Sequence, residues 1–181
     1  MARVPYVSPE ELEPRFQELL KRPINLFRAL SNSPVAFSHF HPFGEWIRWE
    51  CELDGRLREL VILQVGYITR SDYEFSHHVE ISRNFGVTDE DIGGIIRFNK
   101  GEASGLSALD DLALSATTQL TEERRIAQDT WDALAEHFDR GRLVDLVLVI
   151  SFYNLVVRVL GGLQIDVEPD YQKYLDQFPY Q

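Results

Sequence analysis

The sequence predicts an all-α protein in a single domain. Apolar residues recur at helical spacing through most of the chain, and no segment shows sustained two-residue alternation bounded by turn signals. Helix-start residues also precede the periodic runs, as at Ser8-Pro9, Ser33-Pro34, Ser71 and Thr88. With 181 residues and 20.9 kDa, one hydrophobic core suffices.

In chain order, Ser8 caps a first helix with Pro9 at its first position and Glu11 completing a capping box, and this helix is predicted to reach about Lys21 before Pro23. A short apolar segment, Ile24 to Leu30, follows. Val35 to Glu52 is the most aromatic stretch, holding Phe37, Phe40, Phe43, Trp46, Ile47 and Trp49, and Pro42 and Gly44 are expected to kink or divide it. Core packing is its first reading and the lining of an apolar pocket its second.

Arg56 to about Arg70 is a helix with apolar residues nearly all round, in which Glu59, Leu63, Gly66 and Arg70 share a stripe. Gly66 there permits the close approach of another helix or a ligand. A second helix starts at Ser71 and ends at Gly86, a residue suited to a left-handed cap. Thr88 opens the next, with acids in its first turn, running to about Lys100-Gly101. After a loop from Glu102 to Ser107, helices are predicted over Ala108 to Leu120, over Glu122 to Phe138 with Thr121 as cap, and over Arg142 to Leu160, closed by Gly161-Gly162. The tail from Gln164 to Gln181 carries Tyr171, Tyr174, Phe178 and Tyr180, and reads either as packing on a neighbouring subunit or as a loosely attached extension.

Chemistry concentrates between Arg58 and Glu80. At about 100° per residue, Glu74, His78, Ile81 and Phe85 share one stripe, with Ser71, Phe75, Val79 and Ser82 beside it. Asp72, Ser76, Glu80, Arg83 and Asn84 form the opposite, solvent-facing arc, and His77 sits at its edge. Glu74 and His78 therefore point inward one turn apart, as a candidate acid/base dyad. The structural alternative is that Ser71-x-x-Glu74 is a capping box and His78 a satisfied core residue. Glu59 is either paired with a basic side chain in the core or faces a cavity, the ion pair being preferred.

The formal net charge of -11 leaves no basic stripe for nucleic acid and disfavours anionic membranes. An anionic small substrate requires local arginines that overcome this field. Cys51 is the single cysteine, so neither an intrachain disulfide nor a cysteine metal site is available. With no apolar leader at the start, the expected setting is a reducing cytoplasm. The greasy run Leu143 to Leu163 is interrupted by Asp145, Asn154 and Arg158, and reads as a core or interface helix rather than a membrane span. Metal binding is not predicted: Glu74-x-x-His77 has no second copy, and His39-x-His41 is a lone pair beside Pro42, read as a loop feature.

Arg58-Glu59-Leu60-Val61-Ile62-Leu63, then Glu74-x-x-x-His78, then Gly86-Val87-Thr88-Asp89-Glu90-Asp91-Ile92 resembles the carboxymuconolactone decarboxylase and alkylhydroperoxidase-like superfamily. Tyr153-Asn154-x-x-x-Arg158 is similar to the C-terminal helix of its peroxidase-related branch. The core resemblance covers about residues 53–96. It implies an all-helical, alkylhydroperoxidase-like fold assembled as homotrimers or hexamers with sites near subunit interfaces. In the peroxidase branch a Cys-x-x-Cys precedes the histidine, and those positions fall here at Ser71 and Glu74, with His78 the histidine and Glu59 the relay glutamate. Both thiols are absent, so thiol peroxidase activity is not expected.

What the resemblance leaves is the proton machinery: catalytic candidates His78, Glu74 and Glu59, in a lyase-like enzyme acting without metal or organic cofactor on a small carboxylated lactone or cyclic acid. Arg158 or Arg70 is the expected carboxylate anchor, and Ser71, His77 and Trp46 are further substrate contacts. The alternative is a family member that has lost its cysteines and keeps a binding or structural role.

Overall fold

The computed structural model describes residues 2–179, and within them the chain forms nine α-helices and no strand. They are α1 (Asn25–Leu30), α2 (Pro34–Trp49), α3 (Gly55–Ile68), α4 (Asp72–Ser82), α5 (Asp89–Asn99), α6 (Ala108–Glu123), α7 (Gln128–Ala135), α8 (Arg140–Leu163) and α9 (Gln172–Gln177).

α3 is the axis of the fold because its sequence leaves it no polar face. Every residue from Leu57 to Gly66 is buried, and α4, α5, α6 and α8 pack around it. Leu60, Val61, Ile62, Leu63 and Val65 are fully enclosed, and each such side chain contributes about 1.5–3 kcal/mol by leaving water. Gly66 is where α4 comes closest: a Cβ there would lie 3.0 Å from the Phe75 amide nitrogen. The close approach read from Gly66 is thus that of a helix.

Several boundaries differ from expectation for local reasons. The helix predicted from Ser8 to Lys21 is two short 3-10 segments, Pro9–Glu11 and Pro14–Leu20. Pro14 prevents a continuous helix by removing an amide donor and holding Glu13 extended. Pro42 does not divide α2, which runs through it with the ring on the exposed side. Thr121 is no cap but an interior residue of α6, its hydroxyl accepting from Asn154 Nδ2 at 2.9 Å. α6 ends instead at Arg124 in the left-handed region. Gly161 and Gly162 lie inside the last turn of α8, and left-handed Gln164 closes that helix.

By length and composition α8 could cross a membrane, yet its Leu146, Val149, Ile150 and Val156 are buried in the core shared with α3 and α6. Its other face leaves Val144, Leu148 and Leu155 exposed. The tail packs on its own chain: α9 lies against α4, with Tyr174 and Phe178 buried beside Phe75 and Val79. Tyr180, grouped with these by sequence, lies outside the described residues.

Candidate active site

Glu59 projects from the second turn of α3, and the tight α3–α4 packing at Gly66 brings His78 against it. His78 Nδ1 is 2.7 Å from Glu59 Oε2, and His78 Nε2 is 3.0 Å from Glu74 Oε1, one turn back on α4. Arg58 Nη2 donates to Glu59 Oε1 at 3.3 Å, and the Arg58 guanidinium lies 4.3 Å over the Phe85 ring. The four side chains form a buried row, Arg58–Glu59–His78–Glu74, with two formal charges of each sign once His78 is protonated.

The row fixes its own protonation. Burial pushes His78 down, but the charges of Glu59 and Glu74 overcome it and hold the imidazole up at about 9. Burial pushes Glu59 up, and the His78 and Arg58 charges overcome that, leaving the carboxyl below its ordinary range. Tyr153 of α8 stands edge-on to His78, ring centroids 5.0 Å apart. Burial, reinforced by the Glu74 and Glu59 charges, raises its phenol well above the ordinary value, so Tyr153 is a neutral hydroxyl near neutral pH.

A cavity of about 280 Å³ opens onto this row. Its walls come from the segment before α1 and from α1, α2, α4 and α8; Glu74, His78, His77 and Tyr153 line it, whereas Glu59 lies behind them. Both nitrogens of His78 are occupied by carboxylates. Glu74 is the carboxylate of the two that lines the cavity, and Glu59 is the inner one.

His77 is buried rather than at the edge of a polar arc, and so is Ser76, which the helical wheel assigns to solvent; Asp72, Glu80, Arg83 and Asn84 are exposed as read. The His77 Nε2 contacts Glu168 Oε2 at 2.8 Å, and its ring is stacked between Tyr73 and Tyr171. Ser71 is a weak cap, accepting from the Glu74 amide at 3.5 Å. The predicted capping box is incomplete: Glu74 faces His78, and the Ser71 amide donates to the Gly66 carbonyl at 3.0 Å.

The remaining predicted contacts are not brought to the cavity within this chain. Arg158 donates to Asn154, lining a shallow depression on the outer side of α8. Arg70 is exposed at the α3–α4 turn in the left-handed region. Trp46 packs in the core, 5.3 Å from the Phe43 ring, outside the cavity wall. His39 and His41 lie on α2 rather than in a loop, and His41 reaches the cavity beside Phe27 and Phe37. Among the described residues, no group of three or more His, Cys, Asp or Glu is placed to hold a metal ion.

Cys51 is half-buried away from the cavity; its Sγ lies 3.7 Å from Asp145 Oδ2, and burial pushes the thiol up, against thiolate formation. The cavity residues that sequence reasoning missed are Arg22 and Arg48, together with Tyr73. Arg48 follows the aromatic run of α2 by helical spacing, which is the one local signal that existed for it.

Residues 34–119 match the carboxymuconolactone decarboxylase family. An uncharacterized protein of Bacillus subtilis (strain 168), YdfG, is 26% identical over 97 residues, which span 54% of this chain and 66% of that protein. Among solved structures, an uncharacterized peroxidase-related protein from Ralstonia eutropha JMP134 with an alkylhydroperoxidase AhpD core superposes with a TM-score of 0.79 at 16% identity, covering 94% of each chain. A variant of the debrominase Bmp8 in complex with 2,3,4-tribromopyrrole superposes with a TM-score of 0.76 at 16% identity, over 93% of this chain and 91% of the other. At these identities the structural likeness establishes the fold, and the family match over residues 34–119 supports the resemblance to the carboxymuconolactone decarboxylase and alkylhydroperoxidase-like superfamily.

Proposed function

We propose that this protein is a cofactor-independent acid/base enzyme of the decarboxylase-like type, acting on a small carboxylated lactone or related cyclic acid. The observation that carries the reading is His78 clamped between Glu59 and Glu74, with Glu74 lining a cavity of about 280 Å³, room for a single-ring molecule. In such a reaction the bond to the leaving carboxylate breaks, its electron pair enters a conjugated carbonyl of the substrate, and carbon dioxide departs. The proton that quenches the carbanion starts on His78 and is passed on by the Glu74 carboxylate, leaving a neutral imidazole that takes up a proton from water, while the Tyr153 hydroxyl donates to the oxygen that gains charge. Glu59 holds the His78 ring in place in both its protonated and its neutral form.

A thiol mechanism is disfavoured, since Ser71 and Glu74 stand where the peroxidase branch carries cysteines and Cys51 lies elsewhere. The exposed Val144, Leu148 and Leu155 on α8 support self-association, and the unpaired cysteine fits a reducing cytoplasm. The test is a panel of small carboxylated lactones and cyclic keto acids, assayed for carbon dioxide release in D2O. One deuterium per carbon dioxide is expected in the product. His78→Ala is expected to lower turnover by about 10²–10⁴ with unchanged circular dichroism. Activity retained in that variant would sink the relay, and a panel with no turnover at all would favour a binding or structural role.

A further inference from the structure

The cavity wall carries as many lysines and arginines as carboxylates, Glu18, Glu45 and Glu74 being the acids, in a protein that is otherwise strongly acidic. Against a net charge of -11, Lys21, Arg22 and Arg48 all line it. Among the other half-buried arginines, Arg56 is held by Asp91 and Asp110, Arg97 by Glu90, and Arg28 by the Tyr6 and Val7 carbonyls. Arg48 differs. It is partly buried, and among the described residues no carboxylate lies within ion-pair distance of its guanidinium.

Arg22 likewise has no carboxylate partner among the described residues, and its charge eases the ionisation of Tyr171 against the larger upward push of burial. The two arginines stand together where the reaction cavity meets a second surface pocket walled by Trp49, Ile81 and Phe85. The competing acids near this junction do not cancel them. Glu18 is taken by Lys21, Glu74 by His78, and Glu45 is exposed one turn before Arg48 without reaching it; Glu80 lines the outer pocket and is exposed.

We propose that Arg48 and Arg22 form an oxyanion-binding subsite at the mouth of the cavity, which selects single-ring ligands bearing a carboxylate set apart from the reacting group. The inference rests on the acid/base reading only for what happens deeper in the cavity. A guanidinium on the departing carboxylate would oppose its loss as neutral carbon dioxide, so the group anchored here is one the reaction keeps. The planar fork of Arg48 matches a carboxylate in two-point contact, and partial burial removes the water that would screen it. The field of Arg48 also reaches the Tyr153 hydroxyl, easing its ionisation against the larger upward push of burial. An anion seated at the mouth would therefore be felt at the reaction end.

The probe is benzoate against its neutral isostere benzamide, titrated into the full chain by isothermal calorimetry near pH 7 at low salt. Benzoate is expected to bind at least about tenfold more tightly, and Arg48→Ala to remove about tenfold of that preference while leaving benzamide unaffected. Arg48→Lys is expected to restore part of it, and Arg158→Ala, on the outer face of α8, to change nothing. Equal affinity for the two probes in the unaltered protein overturns the subsite without recourse to any variant. So does benzoate affinity unchanged in both Arg48→Ala and Arg22→Ala, or lost in Arg158→Ala. Because binding needs no turnover, a panel of inactive acids leaves this result standing, and loss of the benzoate preference leaves the proton relay standing.

Discussion

His77 and His78 are neighbours on α4 and are almost equally buried, at 3% and 5% exposure, yet their surroundings differ in charge and in ring geometry. His78 lies between two carboxylates, at 2.7 and 3.0 Å, with one ring edge-on. His77 lies flat between Tyr73 and Tyr171, with centroids at 4.2 and 3.6 Å, and meets one carboxylate, Glu168. That carboxylate also receives the Tyr73 hydroxyl at 3.0 Å and the Asn25 amide at 2.6 Å. One histidine is thus surrounded by charge and the other by ring faces and a structural tie. Burial alone does not distinguish the two; the difference is a surplus of negative charge around His78, which favours its protonated form, and a carboxylate, Glu74, that lines the cavity beside it.

The sharpest way to separate the two sites is to remove the inner carboxylate of each. Glu59→Ala leaves the buried Arg58 and His78 facing Glu74 alone, and uncompensated buried charge is costly. A stability loss of about 3–5 kcal/mol is expected by urea denaturation, with the m-value preserved. A loss below about 1 kcal/mol would mean that the row is not ionised as described, and His78 would then differ little from His77.

The pH dependence discriminates next. The folded pKa of His78, about 9, lies above its ordinary value of 6.5, so its contribution to stability is fully present below about pH 6.5 and is lost as pH rises through about 9. Glu59 is lowered, so its contribution is present above the ordinary carboxylate value of 4.5 and fades as pH falls below it. The melting temperature is expected to plateau between these limits and decline on both sides. His78→Gln should flatten the alkaline decline while His77→Gln preserves it, and the reverse pattern would exchange the roles assigned to the two residues.

The helical fold was readable because α3 is apolar on every side and α4 carries its cap, its inward stripe and Gly86 in the left-handed turn. Glu74 and His78 were readable from their four-residue spacing, and Glu59 from the cost of a carboxylate in an apolar helix. The wheel failed at Ser76 and His77 because the tail, through Tyr171 and α9, covers part of the arc that a lone helix would give to solvent. No local pattern links His77 to Glu168, 91 residues away. Arg158 lies outside the cavity for a related reason: in a helix as greasy as α8, composition does not say which side faces the core, and Arg158 is exposed while Tyr153 is buried. Arg48 went unread because its importance lies in lacking a partner, which only the folded chain reveals.

The smallest predicted effect bears on the His77 side. Glu168→Gln keeps the shape of the side chain and an acceptor oxygen but removes its charge, weakening the contacts with His77, Tyr73 and the Asn25 amide together. Since Glu168 is partly exposed, water offsets much of the loss, and a stability decrease of about 1 kcal/mol is expected. The change should be local: amide hydrogen exchange is expected to quicken over Tyr171 to Phe178, where the tail rests on α4. The alkaline decline attributed to His78 should stay where it is. If Glu168→Gln instead shifted that decline, the stacked histidine would be part of the proton relay, and the tail a positioning element for catalysis rather than a tie between segments.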